Sequence, residues 1–463
     1  MITKIEIEGF KTFRNFEIEF SPFTVIAGAN ASGKSNLFDA IRLISRLAET
    51  DLKTAFNEQR GNSNELFTLY GSDEMADLMK FAVELLVNKK VKDNWGGEKE
   101  VKYTRLRYEI HIKRLVNEKN IEYLSIVHEK LIKLDSVKDY WIKNNISSEN
   151  IAYWRPKVPV GKRGIPYIDT EEKNGITTIK VPADGRPGSG KETPANAISQ
   201  TILSGINSVD YPHIFAAKEE MKSWKFLQLN SDSLREPTKK DLGMKDTITQ
   251  KGENLASALF RIKNNDPYAL KDISRKLNNL LPNLLEVNVY DDNSNRQYII
   301  KIKSDDEREF SSRVLSEGTL RILTLCIFEY DNEHKGLICF EEPENGIHPF
   351  RMKSIVALLK DLSVNFSDEE SYPRQVIINT HSPVFVGEVF KLDEQKNVKV
   401  WFSKMVSSIT MINNKKAKLA ITKMLPVEKG ISEDERKFTY NEIIKYLESS
   451  DFEETIKEFS KDE

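Results

Sequence analysis

Cysteine is nearly absent from this sequence. Its 463 residues include only Cys326 and Cys339, and each lies within an apolar run. Two isolated cysteines of this kind favour neither a disulfide framework nor a metal site. We predict that both are small core residues of a protein in a reducing compartment.

Long hydrophobic runs and an excess of charge of either sign are also missing. No apolar segment approaches the roughly 20 residues that a membrane-spanning helix needs, and the N-terminus begins a strand pattern, not a signal peptide. Because 69 Lys and Arg nearly balance 71 Asp and Glu, contact with nucleic acid would need a local basic patch. We expect a soluble, cytoplasmic protein without a membrane partner.

The hydrophobic pattern is typical of an α/β protein. Apolar and charged residues alternate over residues 2–8 and 16–20, as in half-buried strands. Residues 23–27 are continuously apolar, as in a buried parallel strand, and residues 37–47 have helical periodicity. Further strand patterns occur at residues 79–87, 106–112, 123–132, 287–289 and 298–302.

The other segments have weaker signals. Residues 155–195 are rich in Pro and Gly and are predicted to form a hairpin and a surface loop, whereas residues 196–285 are predicted to be mostly helical. Near the C-terminus we predict short strands at 398–402 and 408–412 and then a charged amphipathic helix. Residues 450–463 are predicted to be a frayed acidic tail.

Residues 28–36 contain a phosphate-binding pattern. Gly28-Ala29-Asn30-Ala31-Ser32-Gly33-Lys34-Ser35 matches G-x-x-x-x-G-K-[ST] at every fixed position. Small residues let the backbone N–H groups surround a phosphate, and the following helix adds its dipole. We predict that the segment from Gly28 to Asn36 binds ATP, with Lys34 on the β- and γ-phosphates and the Ser35 hydroxyl on Mg²⁺. The alternative is a chance match in a glycine-rich turn.

A second buried strand pattern, residues 336–340, ends in two carboxylates. At the carboxyl edge of a parallel sheet, Glu341 and Glu342 would lie beside the bound phosphates. We predict that Glu341 holds Mg²⁺ and that Glu342 orients or deprotonates the attacking water. A solvated acidic loop is the alternative.

A third buried strand pattern, residues 375–379, is followed by His381. A histidine at this position can donate a hydrogen bond to the γ-phosphate and so detect its presence. The alternative is a histidine at a strand end whose hydrogen bonds are satisfied by the backbone.

Ser316, Glu317 and Gly318 begin an apolar helix. A serine hydroxyl, backbone N–H groups and a helix dipole that point the same way form a second anion site. An ordinary serine N-cap is the alternative.

In chain order, these motifs resemble the ABC-type ATPase heads of the RecF/SMC group. The matching segments are Gly-Phe-Lys-Thr-Phe at 9–13, the phosphate loop, Leu-Ser-Glu-Gly at 315–318, Glu-Glu-Pro-Glu at 341–344 and Thr-His-Ser-Pro at 380–383. Glu-Glu-Pro-Glu-Asn-Gly-Ile-His-Pro at 341–349 is similar to the OLD-like branch found in bacterial anti-phage systems. The resemblance covers the first fifty residues and about 225–390, and it is loose over 75–225.

The resemblance implies an α/β P-loop NTPase fold with a mixed central sheet flanked by helices, an antiparallel β lobe and a helical insertion. Residues 1–70 and 301–463 would form the nucleotide-binding lobe, and residues 71–300 the inserted lobe. It also implies ATP and Mg²⁺ as cofactors and a homo-oligomer. In such heads Ser316, Glu317 and Gly318 of one copy would close on the γ-phosphate held by Lys34 of another.

Two departures from the family pattern concern the site. Glu341 stands where such heads normally have Asp, which affects the expected metal geometry. The family's Q-loop glutamine has no clear counterpart. Gln59 lies in a suitable stretch, but we expect a solvent-exposed side chain there.

Two parts of related proteins have no counterpart in the sequence. No heptad run predicts a coiled-coil arm, and residues 384–463 contain no Asp-x-Asp of the kind that a Toprim nuclease needs. The acidic clusters at 433–435 and 453–454 are interpreted as solvated faces. The chain therefore resembles stand-alone ATPases of Septu and PARIS type that control a separate nuclease or toxin encoded nearby.

Other functions stay open at this point. A RecF-like clamp on DNA would use the basic residues within 89–114 and 155–163, near Tyr153 and Trp154; a solvated strand face is the alternative. An ATPase subunit of a transporter is a second candidate, although the Leu-Ser-Glu-Gly and Glu-Glu-Pro-Glu motifs of this sequence do not resemble those of transporter subunits. A third is an ATP-gated scaffold with negligible turnover.

Overall fold

The computed structural model describes most of the chain. The described residues are 1–70, 74–156, 165–182, 190–241, 246–368, 373–392, 397–412, 415–428, 438–439, 441–445 and 448. The strands are β1 (Ile2–Glu8), β2 (Phe16–Glu19), β3 (Phe23–Ala27), β4 (Leu78–Leu86), β5 (Lys90–Lys92), β6 (Glu98–Glu100), β7 (Arg105–Val116), β8 (Glu122–Lys133), β9 (Asp169–Lys173), β10 (Ile176–Val181), β11 (Lys191–Pro194), β12 (Lys225–Leu227), β13 (Thr238–Lys239), β14 (Leu284–Asp292), β15 (Gln297–Ser304), β16 (Glu309–Ser311), β17 (Leu337–Glu341), β18 (Gln375–Thr380), β19 (Val398–Ile412), β20 (Lys415–Glu428) and β21 (Phe438–Thr439). The helices are α1 (Lys34–Leu47), α2 (Leu52–Asn57), α3 (Tyr140–Asn145), α4 (Ile151–Trp154), α5 (Ile202–Gly205), α6 (Pro212–Lys222), α7 (Ser231–Arg235), α8 (Leu255–Asn265), α9 (Ala269–Leu280), α10 (Glu317–Tyr330), α11 (Met352–Asp361) and α12 (Pro383–Phe390).

A mixed sheet lies between the two largest hydrophobic cores. Its order is β12-β17-β18-β3-β19-β20-β21, and its first five strands are parallel. Alternate side chains of one strand enter different cores: Cys339 packs in one and Phe340 in the other. The central strands are therefore apolar along their whole length, as expected for strands covered on both faces.

The register of the central strands brings their carboxyl ends together. Glu341 of β17 lies opposite Asn379 of β18, and Thr380 of β18 lies opposite Ala27 of β3. Because parallel strands all end at the same edge of a sheet, the loops that follow these three strands begin side by side.

Helices and smaller sheets cover the two faces. The antiparallel sheet β2-β1-β4-β7-β8 shares one core with α1, whose buried face repeats at Leu37, Ile41 and Ile44. In the other core α10 is buried continuously over residues 320–328, because other elements enclose it on all sides. The sheet β13-β15-β14, with β16 paired to β15, packs beside this helix with α8 and α9.

Most of the predicted elements are confirmed. The strand patterns of residues 2–8, 16–20, 23–27, 79–87, 106–112, 123–132, 287–289 and 298–302 correspond to observed strands within a few residues. Cys326 and Cys339 are buried free thiols. The division into two lobes stays a prediction, and β1 and β4 pair across its boundary. None of the helices in the described ranges has both the length and the hydrophobicity needed to span a membrane.

The prediction for the C-terminal region was wrong in two respects. Residues 398–412 form one long strand instead of two short ones, and the segment that follows, 415–428, is a strand. The hairpin of these two strands is held by continuous antiparallel pairing. Leu419, Thr422 and Met424 are buried between exposed lysines, so pairing with β19 prevails over the helical preference of the lysines. The predicted charged helix comes later in the chain, where residues 441–445 are helical. The predicted tail 450–463 and the acidic clusters lie outside the described residues.

The segment 196–285 is mostly helical, as predicted, but it also contains the short strands β12 and β13. The three-residue strand β12 extends the central sheet beside β17. Three residues give too short a hydrophobic pattern to be recognised in a sequence.

Arg374 stabilises the C-terminal end of α10. Its guanidinium is buried and donates hydrogen bonds to the carbonyl oxygens of His334 (2.7 Å), Asp331 (3.0 Å) and Phe328 (3.2 Å). The three carbonyls belong to the last turn of α10 and to the residues that follow it, where backbone acceptors have no N–H donor from a further helical turn.

We predict that Arg374→Met lowers the free energy of unfolding by about 3 kcal/mol, because three buried hydrogen bonds are lost and the Phe328 and Asp331 carbonyl oxygens keep only a backbone donor. The exposed Arg308 provides a matched control, and Arg308→Met should cost less than about 1 kcal/mol. Urea unfolding of both variants measures the difference. Equal losses would show that Arg374 does not stabilise the end of α10.

Candidate nucleotide-binding site

The phosphate loop joins β3 to α1. Gly28, Ala31 and Gly33 have positive φ angles of 153°, 58° and 95°, which turn the backbone sharply between the strand and the helix. No side chain caps α1, and its first turn has no acidic residue. The N–H groups and the positive end of the helix dipole therefore remain available to an anion.

The β19–β20 hairpin packs directly behind this loop. A Cβ at Gly33 would lie 2.0 Å from Thr422 Oγ1, and one at Gly28 would lie 2.4 Å from the Ser403 carbonyl oxygen. Ser403 also donates a hydrogen bond to the Ser32 carbonyl oxygen at 2.9 Å. Only glycine fits at these two positions. Ser403 and Thr422 were not predicted to be part of the site. Hydroxyl residues of a strand several hundred residues after the phosphate loop belong to no recognisable motif.

A chain of polar contacts leads from the hairpin to the start of α1. Thr422 and Thr12 share a hydrogen bond of 2.7 Å between their hydroxyls, and Asn36 Nδ2 donates to Thr12 Oγ1 at 2.9 Å. Asn36 was predicted to be part of the nucleotide site. In this structure its side-chain amide supports the loop through Thr12.

Lys34 is buried at the base of the loop. Its Nζ donates hydrogen bonds to the carbonyl oxygens of Gly28 (2.7 Å) and Ala29 (2.8 Å). Burial lowers the pKa of Lys34 to about 8, against the opposing effect of Glu342 and Glu344. A phosphate next to Nζ would stabilise the ammonium form that burial disfavours.

Glu341 is the last residue of β17 and lies near Arg60. Burial raises the pKa of its carboxyl group, against the opposing effect of Arg60 and Arg42. Arg60 lies 3.9 Å from Glu341 Oε1 and donates to the Ser35 carbonyl oxygen at 3.4 Å. Arg60 therefore contacts both residues that are predicted to hold Mg²⁺, the carboxylate of Glu341 and the backbone of Ser35.

Glu342 has a strained backbone that is fixed by β18. Its φ is 46°, an unusual value for a residue other than glycine. Its N–H donates to the carbonyl oxygen of Asn379 at 3.1 Å and lies 3.2 Å from the side-chain oxygen of the same residue. These bonds turn the Glu342 side chain away from the direction that a continued strand would give it.

His381 contacts the Glu342 carboxylate. His381 Nδ1 lies 3.1 Å from Glu342 Oε1, and Asn345 Nδ2 donates to Oε2 at 2.9 Å. The hydrogen bond with His381 is the main cause that lowers the pKa of Glu342 to about 2. The same bond raises the pKa of His381 above 6.5. Glu342 is therefore a carboxylate at neutral pH, oriented by two neighbours.

Glu344 is a polar residue of the site to which the sequence analysis gave no role. Its side chain is buried, and its Oε1 accepts a hydrogen bond from the Thr380 hydroxyl. Its Oε2 has no hydrogen-bond partner among the described residues, and burial raises the pKa of the carboxyl group. Glu344 is the last residue of the Glu-Glu-Pro-Glu motif, so the motif could have drawn attention to it. Its position three residues after the strand does not by itself predict a role.

The signature segment begins α10. Ser316 caps the helix, since its Oγ accepts from the Thr319 N–H at 3.2 Å, and Glu317 pairs with Arg321 at 2.9 Å. A Cβ at Gly318 would lie 2.7 Å from the Gly346 carbonyl oxygen. Within the described parts of one chain, Ser316 and Gly318 thus contact α10 and the loop after β17, and no hydrogen bond joins them to residues 28–36.

The residues present fit ATP and Mg²⁺. The uncapped start of α1 suits a phosphate group, and so does the buried Ser32 hydroxyl, which has no hydrogen-bond partner in the described part of the chain. No three His, Cys, Asp or Glu residues converge on a metal site in the described ranges. A site with Ser35 and Glu341 as its protein ligands is consistent with Mg²⁺, which is usually held by few side chains, phosphate oxygens and water.

Gln59 is buried, so the expected exposed side chain was wrong. Its Nε2 donates to the Ala55 carbonyl oxygen at 3.1 Å, while its Oε1 has no partner. The C-terminal end of α2 turns the side chain inward, which a single polar residue in a sequence does not indicate.

The arginines of the basic segment proposed for DNA contact form ion pairs within the chain. Arg107 pairs with Glu6 (2.7 Å) and Glu109 (2.6 Å), and Arg105 pairs with Asp139 (3.0 Å). Trp154 is buried. These contacts favour the structural alternative for these arginines and for Trp154, while residues 157–163 lie outside the described residues.

We predict that Glu342→Gln lowers the pKa of His381 toward 6.5, because the partner that stabilises the imidazolium loses its charge. The raised pKa of His381 contributes stability that is present below pH 6.5 and is lost as the pH rises through the folded-state value. The difference in unfolding free energy should be under about 1 kcal/mol, since both side chains are more than a third exposed.

An NMR titration of the His381 ring measures this shift. Glu317→Gln is the matched control, because Glu317 pairs with Arg321. An unchanged His381 pKa in the Glu342 variant would contradict the contact between the two side chains.

The chain is similar in sequence to part of one chromosome partition protein, and it aligns with solved SMC head structures. The chromosome partition protein Smc of Halothermothrix orenii is 39% identical over 92 residues, which are 19% of this chain and 7% of that protein. The solved structures of an SmcHead bound to the C-winged helix domain of ScpA and of the SMC head domain from Thermotoga maritima are 14% and 15% identical, with TM-scores of 0.46 and 0.37. The alignments cover 92% of this chain in both cases and 98% and 99% of those chains.

A family model described as AAA ATPase domain matches residues 1–386. The predicted fold, an α/β P-loop ATPase with a mixed central sheet flanked by helices, is confirmed. Since the match covers most of the 463 residues, the chain belongs to the AAA ATPase domain family.

Proposed function

We propose that the protein hydrolyses ATP with Mg²⁺ at sites formed between two copies of the chain. The observation that carries this proposal is the register of β3, β18 and β17, which puts the phosphate loop, His381 and the Glu341–Glu342 pair at one sheet edge. Positioning and electrostatic stabilisation supply most of the catalysis in phosphoryl transfer, and this edge offers both.

Each residue has a role that its contacts support. Lys34 stabilises negative charge on the β- and γ-phosphates. Glu342 orients the attacking water and accepts its proton, and His381 holds Glu342 through Nδ1. With a pKa of about 2, Glu342 is a weak base, so orientation of the water is its larger contribution. Mg²⁺, held by Ser35 and Glu341, would neutralise charge on the phosphate oxygens.

Two observations support sites shared between two copies. Within one chain, Ser316 has its contacts on α10 instead of the phosphate loop. Apolar side chains near this segment are also uncovered: Val314 is 69% exposed and Phe350 is 94% exposed. A second copy placed here would cover them and bring Ser316 and Gly318 to its own nucleotide.

We further propose that this pairing regulates a separate nuclease or toxin in bacterial anti-phage defence. The support is the similarity of residues 341–349 to the OLD-like branch. ATP would favour paired heads and hydrolysis would release them, so that nucleotide state controls the effector.

Two substitutions test the assignment of the site. Lys34→Ala should abolish ATP binding in calorimetry. Glu342→Gln should retain binding and lower kcat by about 10²–10⁴-fold, while the ATP-bound pair lives longer. Unchanged steady-state turnover of Glu342→Gln would show that another group activates the water.

Mixing two inactive variants tests whether the site is shared. Lys34→Ala and Ser316→Arg should each be inactive alone. A mixture of equal amounts should recover roughly a quarter of the wild-type rate, because half of the pairs are mixed and have one intact site. The control is a mixture of each variant with itself. No recovery, with mixed pairs verified by native mass spectrometry, would place Ser316 and Lys34 in the same copy.

The effector role needs a separate experiment. The products of neighbouring genes should co-purify with the chain, and ATP with Glu342→Gln should change the amount recovered. An active pair of this chain whose gene neighbours neither bind it nor affect phage infection would contradict the regulatory role and leave the ATPase assignment intact.

A further inference from the structure

A basic groove lies between α9 and β14, outside the nucleotide site. It has a volume of about 700 Å³. Four cationic side chains line it, and among its described lining residues Glu286 is the only carboxylate. The lining cations are Lys263, Lys271, Arg275 and Lys303. The whole chain has a net charge of −2, so this groove concentrates positive charge that the surface as a whole lacks.

Within the described part of the chain, Glu286 lies opposite Lys303 in the pairing of β14 with β15, and the other three cations are balanced only in part. Arg275 pairs with Asp272 at 2.9 Å, whereas Lys263 donates to the uncharged Asn288 Oδ1 at 3.1 Å. Lys271 lies over the Tyr268 ring, with its Nζ 6.0 Å from the ring centroid. The groove therefore suits a partner with several negative charges in a row.

An aromatic side chain stands at one end of the groove. Tyr268 immediately precedes α9 and is 72% exposed. Exposed aromatic rings next to cations are the combination that binds single-stranded nucleic acid, because bases stack on the ring while phosphates contact the cations.

The edge of β14 disfavours an extended peptide as the occupant. The Val287 N–H donates to Ser274 Oγ at 2.9 Å, and the Val289 N–H lies 2.9 Å from Asn288 Oδ1. A peptide that adds to a sheet edge needs free backbone groups, and side chains already satisfy these. A partner bound by side-chain cations and an aromatic ring needs none of them.

We propose that the groove between α9 and β14 binds a single-stranded nucleic acid. Lys263, Lys271 and Lys303 contact its phosphates, and Tyr268 stacks on a base. Stacking on Tyr268 needs an unpaired base, which favours a single strand over a duplex. This site is distinct from the phosphate loop, and its occupation does not require ATP.

The test uses the full-length chain with Lys34→Ala and no nucleotide, so that its outcome is independent of the ATPase assignment. The probe is a fluorescein-labelled oligothymidylate of about 15 nucleotides, followed by anisotropy from about 0.05 to 0.2 M salt. The charge variant is Lys271→Glu with Lys303→Glu. Lys119→Glu with Lys138→Glu makes the same change in net charge at exposed positions elsewhere, outside the basic segments 89–114 and 155–163.

We expect the charge variant to raise Kd about tenfold or more and to reduce the salt slope by about 1.4, since each lost single-strand contact removes about 0.7. The control pair should change Kd less than about threefold, as non-local charge is screened. Tyr268→Leu should raise Kd about fivefold or more while leaving the salt slope unchanged.

Three results would overturn the proposal. One is the absence of salt-sensitive binding by the parent protein. A second is equal weakening by the groove pair and the control pair. The third is competition by polyglutamate at the same concentration together with a silent Tyr268→Leu, which would assign the groove to an acidic polypeptide.

Discussion

Parallel pairing of β17, β18 and β3 determines where the polar groups of the nucleotide site lie. The three strands are apolar and covered on both faces, so a slip by one residue would exchange side chains between two closely packed cores. This register fixes Glu341 opposite Asn379 and Thr380 opposite Ala27. The constraint also explains the strain at Glu342, which costs about 1–3 kcal/mol. The residue leaves the strand in a left-handed turn because Asn379 holds its N–H.

The phosphate loop depends on segments far apart in the chain. Thr12 comes from the loop before β2, Asn36 from α1 and Thr422 from β20, and their side chains are joined by hydrogen bonds. Gly33 leaves room for Thr422, where any Cβ would collide. The two fixed glycines of the motif therefore serve packing against the β19–β20 hairpin as well as the approach of a phosphate.

Sequence reasoning succeeded where the physical signal is local. The phosphate loop, the buried strand before Glu341 and the cap at Ser316 each follow from neighbouring residue types and their spacing. It failed for β20, where pairing with β19 organises a lysine-rich segment, and for Gln59, whose burial depends on how α2 meets its neighbours. Contacts such as those of Ser403 and Thr422 join segments hundreds of residues apart, and single-sequence periodicity carries no information on them.

The charged side chains of the site are buried in a way that a charged ligand would compensate. Burial lowers the pKa of Lys34 and raises the pKa of Glu341 and Glu344, so for each group burial destabilises the charged form relative to the neutral form. A triphosphate beside Lys34 favours the ammonium, and a divalent cation beside Glu341 favours the carboxylate. Glu342 differs, since His381 and Asn345 already stabilise its charge. The groups that would bind ATP and Mg²⁺ thus gain most from their ligands, whereas the group that would orient water is prepared in advance.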